Sequence, residues 1–157
     1  RLFNINAIGL RFFTVYGPWG RPDMATYIFT KKILEKKKID IYNHGKMKRD
    51  FTYIDDIVIG ICGAVYFKNT KKTSHTIYNL GNNKSEKLID LVNCIEFSLN
   101  KKAKINFKDI QLGDVKETFA DIKYSKKLLN YKPQIGIQDG IPCFIDWYMK
   151  YAKRIIA

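Results

Sequence analysis

The sequence has little of what builds metal centres or disulfide frameworks: among 157 residues there are three cysteines and two histidines. Cys62, Cys94 and Cys143 are each embedded in apolar sequence, with no CxxC or Cys/His spacing. Buried thiols in a reducing compartment are expected, and no metal site. His44 lies in a polar turn and His75 between a serine and a threonine, so both read as surface histidines. Glycine is present but not in a phosphate loop: neither GxGxxG nor a GxxxxGKS/T run occurs, so the chain carries no dinucleotide fingerprint of its own. No apolar run is long enough to span a bilayer and no secretory signal opens the chain. The expectation is a cytoplasmic protein without membrane contact.

Acidic residues are also scarce. Fifteen Asp and Glu face 28 Lys and Arg, a formal charge of +13 at neutral pH, which favours anionic partners without choosing among them. Much of the charge sits in lysine runs, such as 31–32, 36–38, 71–72, 101–102 and 126–127, expected as solvated helix ends and loops. A non-enzymatic basic module for nucleic acid is the competing class. Against it, the lysines do not form one stripe, and the aromatics fall in apolar periodic segments instead of alternating with basic residues. With 46% hydrophobic residues the chain can bury roughly 70% of its unfolded surface, and no linker divides it. One unit over residues 1–157 is expected.

Strands alternate with helices. Residues 10–15 read as a strand closed by Gly17-Pro18. Asp23 is placed to cap a helix over 24–37, and a strand at 39–42 and a polar turn at 43–48 follow. Residues 49–53 are extended, and Asp55 or Asp56 starts a helix with Ile57, Ile61 and Val65 on one face. Gly60 and Gly63 inside it cost roughly 1 kcal/mol each unless close packing offsets them. Residues 76–80 form a strand, Ser85 caps the next helix, and Asn82 and Asn83 fall at a strand-to-helix edge suited to small ligands. Short strands are expected at 104–107 and 119–120, a helix at 122–130 capped by Asp121, and a final helix with Pro142 in its first turn. The class is α/β.

Three stretches are polar without a plain structural need. Thr14 and Arg21 flank the turn 16–20, where a hydroxyl and a guanidinium could hold a carboxylate or phosphate; Arg21 paired with Asp23 or lying over Trp19 is the structural alternative. Arg49 opens a strand beside a basic turn, a phosphate position or a local pair with Asp50. Gln111 to Asp114 is a QLGD turn in which Asp114 serves turn geometry or ribose binding. Two YxxxK spacings occur, Tyr27 with Lys31 and Tyr42 with Lys46, and both are read as chance in a chain rich in Tyr and Lys.

The segments GLRFFTVYGPWGRPDMA, IYNHGKMKRDFTYIDDIVIGI, YNLGNN and LGDVKETFAD, with DGI and FIDWY near the end, resemble in order the C-terminal half of UDP-glucuronate 4-epimerases. These are extended short-chain dehydrogenase/reductases of the NAD-dependent epimerase/dehydratase family. The resemblance implies a late part of a Rossmann-type parallel sheet plus the smaller C-terminal substrate domain, with the N-terminal dinucleotide-binding half, and so every catalytic residue, missing. It implies a homodimeric parent enzyme that interconverts UDP-glucuronate and UDP-galacturonate through an NAD-bound 4-keto intermediate. A related epimerase, dehydratase or decarboxylase is the neighbouring alternative. By position, Phe12 and Phe13 match residues beside the nicotinamide, and Thr14 and Arg21 match the grip on the uronate carboxylate. Met24 and Ala25 match backbone contacts at the nucleotide, and Tyr42 the ring near uracil. Arg49 matches the diphosphate arginine, Gln111 a position that is arginine in the UDP-galactose branch, and Asp114 the carboxylate at the ribose or uridine edge. The piece alone is expected to be inactive and to bind NAD weakly or not at all.

Overall fold

The computed structural model describes residues 5–67 and 75–152, so the lysines at 71 and 72 lie outside it. The stretch expected as one strand is two. β1 (Ala7–Phe12) runs parallel to β6 (His75–Leu80), while β2 (Thr14–Tyr16) runs parallel to β5 (Phe51–Tyr53). The change of partner falls between two residues: the Phe13 N–H donates to the Leu80 carbonyl at 3.1 Å and the Thr14 N–H to the Asp50 carbonyl at 3.0 Å. A third parallel pair joins β3 (Lys38–Ile41) to β8 (Lys104–Phe107), and the short β4 (Lys48–Arg49) is antiparallel to β7 (Glu86–Lys87). Parallel pairing thus begins with the first described strand and continues to residue 107. The expected partition, a late sheet remnant followed by a separate smaller domain, does not describe it.

Helices alternate with these strands: α1 (Ala25–Leu34), α2 (Ile54–Tyr66), α3 (Leu88–Leu99), α4 (Lys123–Leu129) and α5 (Ile137–Trp147), the last running into a π-helical turn at Tyr148–Ala152. Two apolar clusters form. The larger unites α1, α3 and α5 around Ile41, Phe51, Val92, Ile95, Ile141 and Phe144. The smaller packs Ile57 of α2 and Leu80 of β6 against Ala120, Leu129 and Tyr131. Each fully buried aliphatic or phenyl side chain stabilises the fold by roughly 1.5–3 kcal/mol relative to exposure. The β1–β2 crossing connects the two: Leu10 and Phe13 pack on the smaller cluster and Tyr16 lies within the larger.

The glycines inside α2 are explained by contact. A Cβ on Gly63 would lie 2.4 Å from the Leu129 carbonyl oxygen, and one on Gly60 would lie 2.7 Å from Leu80. Their absent side chains let α2 approach α4 and β6 closely, which offsets the propensity they lose.

Several local expectations are corrected. Asp23 does not cap α1: the cap position is Met24, without a side-chain cap bond, because the Asp23 carboxylate is taken by Arg21. α2 is entered from Tyr53, with Asp55 and Asp56 in its first turn, where negative charge suits the helix dipole. Lys87, not Ser85, precedes α3, since residues 86–87 are drawn into the β4–β7 pair. Residues 119–120 are not a strand; the backbone bridge there is Lys48 with Glu117, and the Ala120 N–H goes to the Asp50 carboxylate. Pro142 lies inside α5. Cys62 and Cys143 are exposed and Cys94 is half-buried, all three free, so the expected burial of the thiols does not hold.

Candidate functional site

Asp50 organises the centre of the molecule. It interrupts the run from β4 to β5 and is fully buried. Its carboxylate accepts from the Asn82 N–H at 2.6 Å, the Ala120 N–H at 3.0 Å and the Thr52 hydroxyl at 3.2 Å, while its own N–H donates to the Thr118 hydroxyl at 3.1 Å. Asp50 is therefore occupied by the scaffold and does not pair with Arg49. The Asn82 turn, expected beside a ligand, is committed to this hub. Asp56, also buried, accepts from the Gln134 and Ile135 N–H groups and ties α2 to the loop before α5.

Two cavities adjoin at β2, one toward α1 and the Tyr42 turn and the other toward the 17–21 turn and α2. The first, about 380 Å³, is lined by Thr14, Met24, Ala25, Tyr42, Arg49 and Asp114, six of the eight residues singled out for substrate. The second, about 450 Å³, is lined by Phe12, Phe13 and Arg21, and the two share Val15, Tyr16 and Met24 as a common wall. Gln111 lines neither. It begins the turn in which the Asp114 N–H donates to the Gln111 carbonyl at 3.1 Å, with Gly113 in the left-handed region at φ 88°. The turn carries Asp114 to the cavity and leaves Gln111 exposed.

Each element delivers its residue for a local reason. Thr14 stands at the partner switch between β1 and β2. Tyr42 begins a 3-10 turn in which Asn43 and His44 both adopt positive φ, 49° each, turning the chain sharply after β3. His44 is exposed, 3.0 Å from Asp109, on Phe107. Arg49 ends β4, and its Nη1 donates to the Lys48 carbonyl at 2.8 Å. Among the described residues no carboxylate is paired with Arg49.

Residues not anticipated also line the first cavity, chiefly Asp23, Asp40, Met47 and Leu88. Met47 and Leu88 meet because the Leu88 N–H donates to the Met47 carbonyl at 2.9 Å, a long-range pairing with no local signature. Asp40 is held below the usual carboxylate range by the Asn106 amide, with Lys108 and Lys32 assisting. Asp23 is likewise lowered by the Arg21 guanidinium. The cavity wall thus joins an arginine with no carboxylate partner among the described residues to two paired carboxylates and the exposed Asp114.

Arg21 faces Asp23 with two donors: Nε to Oδ1 at 3.0 Å, and Nη2 to Oδ2. Trp19, at φ 61°, turns its ring onto Trp147, with centroids 5.3 Å apart, and Tyr151. The aromatic content of the stretch 11–25 therefore divides between a core ring, Tyr16, and a wall around the second cavity.

The family model for the NAD dependent epimerase/dehydratase family matches residues 1–81. The chain belongs to this family. The match covers the N-terminal portion of the chain, and the parallel pairs of β1 with β6 and β2 with β5 lie within it. That overturns the reading of the chain as a C-terminal half whose N-terminal half is missing, and with it the picture of a late sheet remnant plus substrate domain. Among curated relatives of this epimerase/dehydratase member, Protein CapI of Staphylococcus aureus is 45% identical over 98% of this chain and 50% of its own length. UDP-glucuronate 4-epimerase 2 of Arabidopsis thaliana is 42% identical over 98% of this chain and 38% of its own length. The chain spans half or less of the length of these curated relatives. Among solved structures, UDP-glucuronic acid 4-epimerase from Bacillus cereus, in complex with UDP-glucuronic acid and NAD, superposes with a TM-score of 0.85 at 36% identity. It covers 94% of this chain and 46% of its own.

Among the described residues no helix is long and apolar enough to cross a membrane.

Proposed function

We propose that the whole protein is an NAD-dependent nucleotide-sugar 4-epimerase that interconverts UDP-glucuronate and UDP-galacturonate and works in the cytoplasm. The observation that carries the reading is the convergence of six nucleotide-sugar candidates on one cavity, with Arg21 and the phenylalanine pair on the adjoining one. The similarity to an epimerase solved with UDP-glucuronic acid and NAD supports it, and free thiols suit a reducing compartment.

In this reading Arg49 meets the diphosphate, a role suited to a guanidinium with free donors. Tyr42 lies against the uracil, Met24 and Ala25 contact the nucleotide through their backbone, and Asp114 meets the ribose edge. Thr14 and Arg21 hold the sugar carboxylate, and so orient C4 toward the apolar wall of Phe12 and Phe13. That wall, with Ile54, Ile57 and Ile61 also on the second cavity, offers a nicotinamide ring apolar contact. Phe12 and Phe13 would lie against NAD, whose nicotinamide would supply a reversible hydride acceptor for C4. The residues present fix the sugar's position while it turns over, because holding the reacting carbon in line lowers the barrier to transfer.

Incubation of the full-length protein with UDP-glucuronate, followed by chromatographic separation, is expected to yield UDP-galacturonate. Absence of that product, with turnover of UDP-glucose instead, would move the protein to another branch of the family.

A further inference from the structure

We propose that Asp23 is an internal competitor for the Arg21 guanidinium, so that a carboxylate-bearing ligand gains Arg21 only by displacing it and Asp23 thereby sets the preference between acidic and neutral sugars. The inference rests on the reading of Arg21 as the carboxylate grip.

The geometry is that of a substrate mimic. Two donors of one guanidinium edge, Nε and Nη2, meet the two oxygens of Asp23, the fork arrangement by which arginine recognises a free carboxylate. A ligand carboxylate seeking the same edge must take the place of Asp23. The pair is also built to open. Arg21 and Asp23 side chains are 75% and 61% exposed, and exposed ion pairs contribute little to stability.

A buttress would look different, because a carboxylate that positions an arginine is itself fixed by the scaffold. Asp56, for comparison, accepts from the backbone of residues 134 and 135. Among the described residues, Asp23 accepts only from Arg21 and from its own backbone N–H. It anchors Arg21 to nothing.

The position of the pair gives the competition a consequence. Arg21 lines the second cavity and Asp23 the first, with Met24 common to both. When Arg21 turns to a ligand, Asp23 is left uncompensated at the wall of the cavity that takes the rest of that ligand. A neutral sugar leaves the Arg21–Asp23 pair intact and meets no such penalty.

The test uses the full-length protein and the equilibrium affinities of UDP-glucuronate and UDP-glucose. Both carry the same diphosphate, so their ratio cancels any effect on it, and the effect of lost negative charge on the sugar carboxylate itself is read from the Arg21→Gln background, where no competition exists. Asp23→Asn is expected to raise the preference for UDP-glucuronate about two- to five-fold, the range of an exposed ion pair. In an Arg21→Gln background the same substitution should leave the ratio unchanged. An unchanged or reduced preference in Asp23→Asn alone overturns the inference, a reduction meaning that Asp23 positions Arg21 instead. If wild type shows no preference for UDP-glucuronate, or Arg21→Gln does not diminish it, the assignment of Arg21 itself fails, and the inference with it.

Discussion

Asp50 and Arg49 are neighbours in sequence and opposite in use. Asp50 is enclosed and saturated by two backbone N–H groups and a hydroxyl, whereas the Arg49 guanidinium has donors left over at a cavity wall. Replacing Asp50 with Ala strands the buried N–H of Ala120 and the part-buried N–H of Asn82, each costing about 1–3 kcal/mol. Chemical denaturation should show a loss of about 2–6 kcal/mol, the sum of the two. Arg49→Ala should leave the denaturation midpoint almost unchanged and weaken UDP, UDP-glucose and UDP-glucuronate alike by about ten-fold or more, the worth of a charge-assisted hydrogen bond. Calorimetric titration of UDP alone checks this: unchanged affinity would remove Arg49 from the diphosphate. The pair also shows what a sequence can tell at this scale. Both residues stand out in RDF as opposite charges between a basic turn and a strand, but the local alternative, a salt bridge between them, fails because adjacent residues of an extended chain point to opposite sides.

At the scale of elements, the periodic signals were the legible ones. The β-type run at residues 104–107 is a paired strand, and of the face Ile57, Ile61 and Val65 the first is buried and the last exposed. Boundaries set by long-range contacts were not legible. The chain from residue 10 to 15 is uniformly strand-like, and only Leu80 and Asp50, far along the sequence, divide it by offering different partners to Phe13 and Thr14. That division places Thr14 and Phe13 on different cavities, so the feature hidden from the sequence is the one that sorts the candidate site. The glycines of α2 were legible as a cost and not as a contact. Gly63→Ala would force a methyl against the Leu129 carbonyl, and overpacking of this kind costs about 1–3 kcal/mol. Urea denaturation of the variant should show that loss even though alanine is the better helix former; a gain in stability would mean that α2 and α4 separate freely.

Across the whole molecule, buried phenols are distributed through both clusters: Tyr16, Tyr27, Tyr53 and Tyr148 in the larger and Tyr131 in the smaller. Burial raises the pKa of each, with Tyr53 and Tyr148 pushed up to about 12, and the Tyr131 hydroxyl donates to the Gly81 carbonyl. In the unfolded chain these phenols release their protons near pH 10, while the folded protein keeps them. The unfolded state therefore binds fewer protons over this interval, and each such group lowers stability by up to about 1.4 kcal/mol per pH unit as pH rises from 10 toward 12. Their stabilising contribution is complete below pH 10 and lost as pH passes the folded values. Tyr148 offers the cleanest test, since its ring packs on Tyr27 at 5.0 Å and Phe144 at 6.0 Å, contacts that phenylalanine retains. Tyr148→Phe should match wild type near pH 8 in urea denaturation and fall less steeply between pH 10 and 12, by the slope of one proton. Parallel pH profiles would mean that Tyr148 ionises in the fold as readily as in the unfolded chain, and that the larger cluster admits water to the junction of α1 and α5.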